Sequence, residues 1–140
     1  MIVADSDVLI EYLRGRNPLA ARVEVELQSR GFCTTAVTAF ELWTGAKTRR
    51  QSSAVELLLA AMTILPLDAE AARRGGEARN DLLARGDDIG MADCLIAGIC
   101  LRERATLLTG NRRHFARIPG LKLSLGAQDE DAQDKGPTKS

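Results

Sequence analysis

Three carboxylates stand where their neighbours should have excluded them. Asp5 ends the apolar run Ile2-Val3-Ala4, Glu41 lies within Ala39-Phe40-Glu41-Leu42-Trp43, and Asp93 is the one charge in the stretch 90–100. A polar group buried without a partner costs about 2–7 kcal/mol, and an unpaired charge costs more. No Lys or Arg lies within four residues of Glu41 or within seven of Asp93, so no local salt bridge relieves either. Oxygen ligands gathered without His or Cys suit Mg2+ or Mn2+ rather than zinc. His114 is the single histidine, and Cys33, Cys94 and Cys100 contain no Cys-x-x-Cys pair.

Each acid also has a purely local reading. Asp5 or Asp7 suits a helix N-cap, Glu41 completes the capping-box spacing with Thr38, and Asp93 suits the cap of a helix starting at Cys94. One shared site accounts for all three, where the local readings need three separate coincidences. Asn111, in Leu107-Leu108-Thr109-Gly110-Asn111, is a fourth candidate, although Thr-Gly-Asn is also an ordinary turn. Beside it Arg112, Arg113 and Arg117 form a basic cluster, either simply solvated or suited to phosphate. His114 reads as a surface or helix-capping residue.

To bring these residues together the chain must alternate strands with helices. Strands are expected at 2–4, 32–35, 63–65 and 106–109, with a last short one at 121–125. Helices are expected from the residues after Asp5 up to Gly15, then at 17–30, 38–47, 51–62, 68–86 and 91–104. That order predicts an α/β sandwich around a mainly parallel sheet. Such sheets present ligand groups at the carboxyl ends of strands, where the strand order reverses.

The chain has 140 residues, 45% of them hydrophobic, which predicts one domain with a real core and excludes global disorder. Residues 126–140 carry a net charge of −2 against +2 for the rest, and lack aliphatic residues beyond Ala. They are expected to be a disordered polar tail outside a domain spanning 1–125. Three cysteines, an odd count in apolar settings, read as reduced thiols. The opening residues lack a basic region or a leader-like apolar run, and no stretch is long enough to span a membrane. A cytoplasmic location is expected.

Four segments resemble the ordered motifs of PIN-domain nucleases. They are Ile2-Val3-Ala4-Asp5-Ser6-Asp7-Val8-Leu9-Ile10, Glu41-Leu42-Trp43-Thr44-Gly45-Ala46, Ile89-Gly90-Met91-Ala92-Asp93-Cys94-Leu95-Ile96-Ala97 and Leu107-Leu108-Thr109-Gly110-Asn111-Arg112-Arg113-His114-Phe115. Ile118-Pro119-Gly120-Leu121 fits the usual ending, and the chain is most similar to the small VapC-like toxins of toxin–antitoxin pairs. The resemblance implies a three-layer α/β/α domain with about five mainly parallel strands, cleaving RNA internally with Mg2+ or Mn2+. It assigns Asp5, Glu41 and Asp93 to the metal and to catalysis, with Asn111 a further catalytic candidate. Ser6 would hold a water or substrate, Asp7 would order the helix start, and Arg112 and Arg113 would hold the RNA backbone.

Where many relatives have an acid, at Asn111 or His114, this sequence has none, which bears on a second ion and not on the activity. The implied partners are an RNA substrate such as tRNA or rRNA, a cognate antitoxin and a second copy of the chain in a homodimer. With aromatic residues at 4%, an extensive base-stacking platform is not expected. An alternative is a catalytically degenerate module that keeps the fold and binds RNA or protein. A phosphorelay receiver is disfavoured because no Asp occurs between Asp7 and Asp68. A dinucleotide-binding fold lacks its Gly-x-Gly-x-x-Gly after the first strand.

Overall fold

Alternation with a period of two sorts the short strands' side chains to opposite faces of a sheet. In β1 (Ile2–Ala4) Val3 joins one apolar cluster and Ala4 the other, and Cys33 and Phe32 divide the same way in β2 (Phe32–Thr35). The computed structural model describes residues 1–16 and 18–124. The helix start expected at Asn17, the strand end at Leu125 and the tail at 126–140 lie outside them.

Between those strands run α1 (Ser6–Leu13) and α2 (Leu19–Leu27). After β2 follow α3 (Ala36–Gly45), α4 (Arg49–Ala60), β3 (Thr63–Leu65), α5 (Ala69–Ala84) and α6 (Met91–Glu103). The chain closes with β4 (Thr106–Leu108), the short α7 (Arg112–Phe115) and β5 (Lys122–Ser124). The five strands are all parallel, in the order β3-β2-β1-β4-β5. Helices α1 to α4 supply Val8, Leu9, Val23, Leu42 and Leu58 to one face, while α5 and α6 supply Leu82, Ile96 and Ile99 to the other. This is the expected three-layer α/β/α arrangement.

The order reverses at β1, whose neighbours are β2 and β4, and open α/β sheets place their ligand crevice at such a point, beyond the carboxyl ends of the strands. The other side of the sheet is built by close backbone approach. A Cβ on Gly98 of α6 would strike the Ala71 carbonyl of α5 and come within 2.7 Å of the Gly75 nitrogen. That contact sets the depth of α6. Its start is set by Gly90, whose φ of 96° is open to glycine and strained for other residues. The cysteines are free and buried, and burial pushes the Cys100 thiol up to about 12. Among the described residues, no helix is long and apolar enough to cross a membrane.

Candidate active site

Asp5 leaves β1 as the N-cap of α1, accepting from the Ser6 backbone N–H at 2.8 Å. Its other oxygen accepts from the Thr109 hydroxyl at 2.8 Å, just beyond the end of β4. The capping reading of Asp5 therefore holds, and the same carboxylate also ties the end of β1 to the exit of β4. Asp7 does not cap the helix. Its carboxylate accepts from the Gly110 N–H at 3.0 Å, tying α1 to the exit of β4.

Glu41 is not a capping-box partner. Helix α3 begins at Ala36, capped by Thr35, whose hydroxyl accepts from the Thr38 N–H at 3.0 Å. Glu41 is thus past the first turn, and the Ser6 hydroxyl donates to its Oε1 at 2.6 Å. The capping box lies at Thr48 and Gln51 instead. The cap reading of Asp93 also fails, because α6 starts at Met91 with Asp93 already in its first turn. Asp93 Oδ2 lies 2.8 Å from His114 Nδ1, and that nitrogen lies 2.9 Å from the Asn111 amide nitrogen.

Four separate segments thus meet at one edge through a connected network: the start of α1, α3, the start of α6, and the β4–α7 turn. Asp5, Asp7, Glu41 and Asp93 have no Lys or Arg partner among the described residues. Arg112 and Arg113 are exposed on α7 with no ion pair among the described residues, whereas Arg117 is engaged by Asp87 at 2.6 Å. Thr109, fully buried, was not singled out by the sequence; its position at a strand end is the signal it shares with Asp5. His114 had no local signal, since its partner lies 21 positions away.

The sequence pattern of the PIN domain matches residues 2–121. The chain belongs to the PIN-domain family. It is similar to the tRNA(fMet)-specific endonuclease VapC of Salmonella typhimurium, 30% identical over 110 residues, covering 76% of this chain and 83% of that protein. To Ribonuclease VapC10 of Mycobacterium tuberculosis it is 35% identical over 124 residues, covering 87% and 91%. Among solved structures, VapBC2 from Rickettsia felis bound to a promoter DNA fragment superposes with a TM-score of 0.80 and 26% identity, covering 89% of this chain and 98% of that one. DNA-bound VapBC from Salmonella typhimurium gives 0.80 and 28%, covering 89% and 96%.

In this PIN domain the electrostatics of the crevice are those of crowded acids. Burial, then the neighbouring Asp7 charge, pushes the Asp5 carboxyl up to about 7, against the opposing bonds from Thr109 and Ser6. Asp7 is raised mainly by burial, and Asp93 adds to both. Asp7 Oδ1 is buried with no hydrogen-bond donor. A proton shared within the Asp5–Asp7 pair, or a cation, is what would satisfy it. No trio of His, Cys, Asp and Glu among the described residues is already gathered as a metal cage. The acids nevertheless offer hard oxygens with no Lys or Arg paired to them among the described residues, a set whose chemistry fits a hard divalent ion. A cavity of about 500 Å3 lies elsewhere, between α5, the end of α6 and the approach to β5, and holds none of these acids. A cleft of about 230 Å3 adjoins Glu41 between α1, α3 and α4.

Proposed function

We propose that this PIN-domain chain is a divalent-metal-dependent endoribonuclease and the toxin of a toxin–antitoxin pair. The observation that carries the proposal is the meeting of Asp5, Asp7, Glu41 and Asp93 at the sheet's switch point with no Lys or Arg partner among the described residues. The similarity to proteins named VapC endonucleases and ribonucleases supports RNA as substrate. Asp5, Glu41 and Asp93 would hold Mg2+ or Mn2+. When bound, the ion supplies positive charge against an anionic phosphate and lowers the pKa of an attacking water.

The protein's own groups divide the remaining work. Ser6 fixes Glu41 through its hydroxyl, and Thr109 fixes Asp5, so both carboxylates meet the substrate in set orientations. Asn111 offers an amide at the same edge. Arg112 and Arg113, exposed on α7 and without an ion pair among the described residues, hold backbone phosphates and position the RNA without reading its sequence. Phe40 and Trp43 stand exposed on α3 beside Glu41, which supports an apolar protein partner there, the antitoxin of the VapBC-type assembly.

The test is cleavage of a mixed tRNA and rRNA pool with Mg2+, with Mn2+ and with EDTA. Cutting should require metal and fall by about 10^3-fold or more in Asp5→Asn, roughly 4 kcal/mol of barrier. Full, EDTA-sensitive cleavage by Asp93→Asn would overturn the residue assignment. Mn2+ binding without cleavage of any RNA would favour the degenerate binding module.

A further inference from the structure

The chain's single histidine has no part in the chemistry above, yet its ring is held at the centre of the site. His114 Nδ1 lies 2.8 Å from Asp93 Oδ2 and 2.9 Å from the Asn111 amide nitrogen. One ring nitrogen cannot donate to the first and accept from the second. A carboxylate only accepts, so the 2.8 Å contact with Asp93 requires a proton on Nδ1. The Asn111 amide then turns its oxygen to the same proton, which frees its NH2 group for solvent or substrate.

Among the described residues no other group bonds the Asp93 carboxylate. It takes no part in capping α6, it has no Lys or Arg partner, and its Oδ1 has no hydrogen bond among the described residues. We propose that His114 is a positioning residue for Asp93. It occupies Oδ2 and presents Oδ1 as the one free oxygen of that carboxylate. A donor at this corner attracts Asp93, where a fourth acid would repel it. What Oδ1 is presented to rests on the metal reading above; the His114–Asp93 contact does not. Partners of this kind, which orient a metal's ligands, change metal affinity about 10–100-fold when removed.

Two measurements test this. Because His114 is the only histidine, nitrogen-15 spectra of the metal-free protein report its ring alone. The proton is expected on Nδ1 at neutral pH, and Asp93→Ala is expected to release it to Nε2. A wild-type ring protonated on Nε2 alone overturns the contact. Calorimetry with Mn2+ is expected to show about 10–100-fold weaker binding in His114→Ala. His114→Asn, whose amide N–H replaces the Nδ1–H, is expected to restore binding to within a few fold, a rescue that a merely structural role would not give. Equal affinity of His114→Ala and wild type, with both folded, overturns the positioning role. Absence of Mn2+ binding in the wild type overturns the metal reading and leaves the ring spectra to decide the contact.

Discussion

The outer face of α5 and the carboxyl edge of the sheet use the same side chains to opposite ends. On α5, Glu70 meets Arg73 and Arg74, Glu77 meets Arg73, and Asp81 meets Arg85, all at helical spacing. Asp88 meets Arg79, and Asp68 meets Arg102 across to α6. The hydrogen bond from Arg73, with help from Arg74, holds Glu70 down at about 2, while burial beside other acids holds Asp5 up at about 7. A carboxylate's type thus says little about its chemistry. Solvent and partners decide whether it is a settled surface charge or an acid whose ionisation costs the fold.

The largest effect separating the two regions should come from pH. Asp5's folded-state value lies above its unfolded one, so the protonated group favours the fold. Its contribution is complete below about 3.8 and is lost as pH rises through about 7. In the metal-free protein that single contribution is on the order of 4 kcal/mol across that window. Asp5→Asn cannot ionise, so urea unfolding should find it more stable than wild type at pH 8 and equal to it near pH 4. A variant no more stable at pH 8 would break the contrast.

The next effect lies at the joint between the regions, where α5 packs on the helix that carries Asp93. Gly98→Ala forces a Cβ into the Ala71 backbone and should cost about 3 kcal/mol, the upper part of the overpacking range. Gly76→Ala, on the same α5 with nothing near its Cβ, should instead gain about 0.5–1 kcal/mol. Matching urea midpoints for the two variants would refute the close packing.

Thr109→Val sharpens the comparison within the site. It leaves Asp5 Oδ2 and the Asn111 N–H without their hydroxyl, at a cost of about 1–3 kcal/mol. Carbon-13 titration should also show the Asp5 carboxyl moving further up, since a bond favouring its charged form is gone. The smallest effect belongs to α5. Glu70→Gln should leave the melting midpoint unchanged within measurement in physiological salt, because exposed ion pairs contribute little. A clear drop would show that the α5 arginine network acts as a unit.

Much of this architecture is legible without coordinates. Strands at 32–35 and 63–65 begin and end where expected, because a short apolar run between turn residues carries its own signal. Helix starts were less readable. Thr35 and Thr38 are both competent caps, and α3 begins after the first because β2 ends there, which moves Glu41 out of capping reach. The short α7 has no signal of its own in the sequence, since four residues carry too little periodicity to stand out from a turn.

The amino-acid sequence by itself determined which acids would be costly to bury, and that they belong to an α/β chain with Asp5 at the end of its first strand. Hydropathy and periodicity are local properties, readable within a few residues. Only the tertiary structure decided what those acids meet. Thr109 reaches Asp5 across 104 positions, Gly110 reaches Asp7 across 103, and Ser6 reaches Glu41 across 35. Those pairings exist because β1 and β4 are neighbours in the sheet and α3 and α6 pack beside them, and strand order is a product of the whole packed core.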